Sequence, residues 1–196
     1  MTPHDLLAMR RTRRRQVFAP KIAGTVIVLS LACLACVPGR ADAEDARLHG
    51  IFVNRAPSDK LIKEAIDRSV ASFNFVARPV ARSRLKKSNP VIARAEFGRA
   101  GTDVVVKLGA QTPSAAAPGG PTVKWTRDDG EVLDVGYSWD GTTLVQSFKA
   151  EDGMRYNRYT LSPDGTMLTV DVMLTSDRLE LPVKYQLTLT RESVKP

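Results

Sequence analysis

The chain has 196 residues, 43% hydrophobic and 26% charged, with 29 Lys/Arg against 21 Asp/Glu and a formal charge of +8. Seven of the basic residues and two of the acids fall within residues 1–43, so residues 44–196 hold 22 basic and 19 acidic groups, a formal charge of +3 that gives little support to a nucleic-acid partner. Both cysteines, Cys33 and Cys36, lie in that first stretch and only His49 of the two histidines lies beyond it, a composition that argues against a disulfide, a zinc site or a transition-metal cofactor in the remainder.

The opening residues have the order of parts of a secretory signal peptide. Arg10, Arg11, Arg13, Arg14, Arg15 and Lys21 are followed by an apolar run from Ile22 to Ala35 and then by the small-x-small triplet Ala41-Asp42-Ala43. The run is shorter than the ~20 residues of a membrane-spanning helix and is soon followed by Pro38, Gly39 and Arg40. The expectation is cleavage after Ala43 and export of a single domain, residues 44–196, to the periplasm or cell envelope. Arg14-Arg15 in a twin-arginine signal, lipidation of Cys33 or Cys36, and Met9 in place of Met1 as the start are variants of that reading, and the residues around the arginines and cysteines fit the first two poorly.

Leu48 to Val53 reads as a first strand. Leu61, Ile62, Ala65, Ile66, Val70 and Phe73 then recur at helical spacing behind Ser58, a residue suited to an N-cap, and predict an amphipathic helix over about 59–76. Pro79 ends or kinks it, and a second short helix over 80–87 stops at Asn89-Pro90. Arg78, Arg82 and Lys86 fall four apart and share one helix face, which would either meet an anionic membrane surface or simply be solvated.

Further along, Val91 to Phe97, Thr102 to Leu108 and Thr122 to Thr126 are strand candidates, and Gly109 to Pro121, rich in Ala, Pro and Gly, reads as a flexible loop. The clearest pattern follows. Asp129-Gly130, Asp140-Gly141, Asp152-Gly153 and Asp164-Gly165 recur at spacings of 11, 12 and 12 residues between alternating apolar and polar runs. Asp-Gly is a strong hairpin signal, because glycine accepts the positive φ of tight turns. Four in step describe a meander over residues 91–190, and a long antiparallel sheet of this kind closes, or nearly closes, into a barrel to deal with its edges. The predicted class is therefore mainly β, with a strand and a helical segment over 58–88 ahead of the meander.

With Gly50-Ile51-Phe52 opening its first strand and a helix pair inserted after it, the plan resembles the lipocalin and fatty-acid-binding superfamily, whose first strand carries Gly-x-Trp. It also resembles exported bacterial proteins of lipocalin-like type over Gly50 to Asp59 and the Ser162-Pro163-Asp164-Gly165 turn. The resemblance implies a small barrel holding an apolar ligand.

The residues themselves argue against an enzyme. Asp128-Asp129 and Glu151-Asp152 each sit against a turn glycine, His49 has no thiol or serine motif to serve, and no phosphate loop, dinucleotide fingerprint or calcium loop is present. Hairpin geometry suggests what faces inward. A two-residue turn at Asp140-Gly141 sets Tyr137 against Leu144 and Leu133 against Phe148. Three-residue loops ending in Gly153 and Gly165 set Phe148 against Tyr156, Gln146 against Arg158, and Arg158 against Val170. Arg158 would then need an internal anion, since an unpaired buried guanidinium is too costly to keep. A ligand carboxylate on Arg158, with Gln146, Tyr156, Tyr137 and Tyr185 around it, would supply one, and the resemblance implies the same kind of anchor. If the last turn has two loop residues, Arg158 instead faces Asp171 and both lie outside as a surface ion pair. Two functions follow: an exported barrel that binds a fatty-acid-like molecule, or a packed barrel that docks envelope partners through its basic helices or a sheet edge.

Overall fold

A computed structural model describes residues 46–193. The expected signal peptide at 1–43 with its expected cleavage after Ala43, Cys33, Cys36 and the two candidate starts lie outside the described residues.

Strand β1 (Gly50–Val53) is followed by helices α1 (Asp59–Ser69) and α2 (Ala77–Ser88), and then by eight strands. These are β2 (Arg94–Ala100), β3 (Asp103–Leu108), β4 (Val123–Thr126), β5 (Val132–Asp140), β6 (Thr143–Lys149), β7 (Gly153–Leu161), β8 (Met167–Ser176) and β9 (Val183–Arg191). All nine strands of the described residues form one antiparallel sheet in the order β3-β2-β1-β9-β8-β7-β6-β5-β4, curled around an apolar interior. Each of the four Asp-Gly pairs joins strands that neighbour each other in this order. Gly130, Gly141 and Gly165 do so with φ of 85°, 61° and 73°, where a side chain would be strained.

Gly153 breaks the series, with a consequence for the whole of β7. It lies within the strand opposite Ser176, and a Cβ there would meet the Thr175 carbonyl at 2.7 Å, so glycine serves close approach and not a positive φ. The Ala150 N–H donates to the Gly153 carbonyl at 2.9 Å, leaving Glu151 and Asp152 alone to turn the chain. A two-residue turn in place of the expected three shifts the register by one and exchanges the faces of β7.

The helices also differ from expectation. α1 buries Ile62, Ala65, Ile66 and Ser69 but ends at Ser69, because the Asn74 side-chain oxygen accepts the N–H groups of Val76 (3.1 Å) and Ala77 (2.8 Å) and starts a new helix there. α2 thus begins before Pro79, whose missing N–H falls in the first turn where no partner is needed. Ser58 stands at the start of α1 without capping it: its hydroxyl accepts from the Asn54 amide at 2.7 Å.

The closed end of the sheet is packed with side chains. Phe52 meets Phe97 edge to face at 5.8 Å, and Phe97 meets Tyr159 at 4.9 Å. Arg191 lies 4.5 Å over the Phe52 ring and donates to the carbonyls of Arg47, His49 and Gly165, tying the end of β9 to the approach to β1 and to the β7–β8 turn. Gly50, at φ 133°, gives that guanidinium its place, since a Cβ would come within 2.6 Å of it.

β3 and β4 do not pair with each other, and the segment between them spans the gap. Val104 N–H donates to Ala116 O (3.0 Å), Gly119 N–H to Tyr137 O (2.7 Å), and the Ser114 hydroxyl to Lys124 O (2.9 Å). Gly109 to Pro121 is thus not the free loop its composition suggested but a seam hydrogen-bonded to both edges, because each edge leaves backbone groups that need partners.

Candidate ligand-binding cavity

The register stacks the inward residues of β5 to β9 in rows. Nearest the helices run Val135, Phe148, Arg155, Leu174 and Val183; next Tyr137, Gln146, Asn157, Val172 and Tyr185; beyond them Trp139, Leu144, Tyr159, Val170 and Leu187. Between the first row and the helix hairpin lies a cavity of about 1110 Å³. Its walls are Ile92, Leu108, Trp125, Leu133, Phe148 and Leu174, with Val76, Val80 and Leu85 of the helical segment above and Arg155 and Asn157 at its inner end.

Of the residues singled out from sequence, Tyr137, Gln146 and Tyr185 are buried on one interior row. Arg158 and Tyr156 are on the other face, and the inward reading of both is corrected by the Glu151-Asp152 turn. Arg158 stands opposite Asp171 and donates to Asp140 at 2.6 Å; Tyr156 stands between Ser147 and Met173, its hydroxyl donating to the Met154 sulfur. The expected contacts Tyr137 to Leu144 and Leu133 to Phe148 move by two residues, to Gln146 and Val135, which keeps those side chains inside.

Arg155 and Asn157 occupy the inner places, and sequence reasoning missed both. Arg155 donates to Asn157 Oδ1 (2.9 Å), to the Ser88 carbonyl at the end of α2 (2.5 Å) and to the Tyr185 hydroxyl (3.4 Å). It has no carboxylate partner among the described residues. The Tyr185 hydroxyl donates to Asn89 Oδ1 at 3.2 Å. Deeper in, Gln146 Nε2 donates to the Tyr137 hydroxyl (2.9 Å), while its Oε1 accepts from Tyr159 (2.7 Å) and Asn157 (3.4 Å). Burial pushes the Tyr137 phenol up to about 12 and raises Tyr159 and Tyr185 as well, so all three are neutral at physiological pH.

At the rim, Arg127 forms a fork with Asp129 (2.9 and 2.7 Å) and also reaches Glu131 (2.5 Å), holding the Asp129 carboxyl well below the usual carboxylate range. Lys87 of α2 comes within 3.6 Å of Asp129 and Asp152 within 3.3 Å of Arg178. The expected basic face of α2 is largely used internally: Arg78 donates to the carbonyls of Ala71 and Phe73, Arg82 donates to Asp67 at 2.6 Å, and Lys86 is exposed.

Neither a protein-family model nor a curated protein matches the chain in sequence. Solved structures of similar fold include fatty-acid-binding protein 1 of Echinococcus granulosus, at 11% identity and a TM-score of 0.47 over 76% of this chain and 99% of that one. A secretory abundant heat soluble protein of Ramazzottius varieornatus is similar at 7% identity and 0.49, over 74% and 96%. The REP1-NXSQ fatty acid transporter is similar at 13% identity and 0.44, over 76% and 99%. The strand order described above is itself the meander, with a strand and a helix pair ahead of it, that the four Asp-Gly pairs and the helical spacing of residues 61–73 led us to expect.

Proposed function

We propose that the protein binds an amphipathic, fatty-acid-like small molecule beneath α2, its apolar body against Leu108, Trp125, Leu133 and Phe148 and its anionic head on Arg155. The observation that carries this reading is Arg155 itself: a guanidinium at the inner end of a cavity, held by three neutral acceptors and by no carboxylate among the described residues. A cation so placed gains most from an anion brought in by a ligand. Asn157 and the neutral Tyr185 supply polar groups beside it. The role is binding and not catalysis, in keeping with acidic turn residues whose charge is spent on Arg127 and Arg178.

Export through residues 1–43 and a place in the periplasm or envelope belong to the same proposal. So does an anionic membrane as source or destination of the ligand, for Phe75 and Val76 at the hairpin tip are 85% and 66% exposed beside a cationic helix. The competing reading, a packed docking module, fits the closed half of the barrel but not the cavity above it.

Displacement of a fluorescent fatty-acid probe from the purified protein tests the proposal. Saturable binding is expected, weakened about 10–100-fold by Arg155→Ala, as the loss of charged hydrogen bonds of about 1.5–3 kcal/mol dictates. Arg158→Ala, on the outer face, leaves it unchanged. Absence of saturable binding by the unmodified protein overturns the reading.

A further inference from the structure

The interior is divided, and the division bears on how much of a ligand the protein encloses. The cavity ends at Arg155 and Asn157. Immediately beyond, Tyr137, Gln146 and Tyr185 lie in register with Asn157 across the sheet, each buried. Their polar atoms are engaged with one another or with fixed neighbours: Gln146 with Tyr137 and Tyr159, Tyr185 with Asn89, and the Tyr137 hydroxyl with the Ser114 carbonyl at 3.5 Å. Below them the volume is taken by the Phe52, Phe97 and Tyr159 stack and by Leu144 and Leu168, all at most 3% exposed.

We propose that this polar belt is the floor of the site and fixes ligand specificity: the protein encloses the anionic head and the first part of the apolar body, and leaves a long tail to emerge beneath α2. The inference rests on the binding reading above. Passage through the floor would strip the belt of its hydrogen bonds while offering no vacant space below, so a tail cannot run on into the closed half of the barrel. At the other end, α2 turns Val76 and Val80 over the cavity mouth with 66% and 55% of their surface still wet. A tail leaving by the mouth covers that apolar surface. Gln146 is the central specificity residue, since it joins Tyr137, Tyr159 and Asn157 through one side chain.

Two fatty-acid probes of equal length test this, one with its fluorophore next to the carboxylate and one with a dansyl group at the tail end, each bound to the intact protein and titrated with iodide. The head-proximal dye is expected to be shielded and the tail-end dye to be quenched nearly as readily as free probe. In an unbranched monocarboxylate series, affinity is expected to rise by about fourfold per methylene among the short members, as burial of each CH₂ dictates, and then to stay flat. A shielded tail-end dye, with affinity still climbing to the longest acid, overturns the floor while leaving the binding function standing. No saturable binding of either probe overturns both. Gln146→Ala, which shortens the belt, is expected to move the plateau to longer acids, and Gln146→Glu, which keeps its size, to leave the plateau in place; an unmoved plateau in a folded Gln146→Ala variant also overturns the proposal.

Discussion

Tyr137, Tyr159 and Tyr185 take three hydroxyls into an interior that is otherwise mostly hydrocarbon, and each stays neutral to higher pH than a free phenol because ionisation there would strand a charge without water. The pH dependence follows with its sign. A phenol that ionises at 10.0 in the unfolded chain and at about 12 in the folded one, as at Tyr137, holds its proton longer when folded; its contribution to stability is therefore full below pH 10 and is lost as pH rises from 10 to about 12. Alkaline titration followed by phenolate absorbance should show the three buried phenols resisting ionisation above pH 10 until unfolding overtakes their titration. Tyr137→Phe should flatten the fall in stability over that window. How legible these positions were depended on parity alone. Tyr137, Gln146 and Tyr185 were found because their turn miscounts were even or absent, whereas one residue at Glu151-Asp152 exchanged Tyr156 for Arg155 opposite Phe148 and Arg158 for Asn157 opposite Gln146. An aspartate-glycine pair announces that the chain turns; it does not say whether the glycine stands in the loop or in the strand.

Helix α2 is unusual in burying no residue fully. Polar tethers hold it at both ends: Arg78 and Arg82 to α1 and its connection, Lys87 to Asp129, and Arg155 to the Ser88 carbonyl, where a cation also answers the negative end of the helix. Arg155→Ala in the unliganded protein should therefore speed amide hydrogen exchange across 77–88 by about tenfold, the loss of one charged hydrogen bond, while leaving α1, anchored by Ile62, Ala65 and Ile66, unchanged. Equal acceleration in both helices would mean that α2 is held otherwise. The apolar period made α1 readable from the sequence. Its end was not, since Val70 and Phe73 continue the period past the point where the Asn74 side chain redirects the backbone.

The strands of the described residues form a curled sheet whose two edge strands are joined by a seam of irregular chain rather than by each other. Composition cannot reveal such a role, because Ala, Pro and Gly are as common in structural connections as in free ones; only the positions of β3 and β4 make it necessary. Replacing residues 110–120 with a Gly/Ser linker should uncover both edges and promote self-association, seen as a concentration-dependent rise in light scattering, with far-UV circular dichroism largely retained. A monodisperse monomer would show the seam to be dispensable.

The position of β1 has a temporal corollary. The earliest strand is slotted between β2 and β9, and the staple that secures it, Arg191, comes from the last turn of sequence in the sheet. Ring closure of this sort sets the longest wait that the topology permits. A truncated chain lacking β9 is therefore expected to lose the native pairing of β1, seen as a loss of near-UV circular dichroism and of protected amides over residues 50–53.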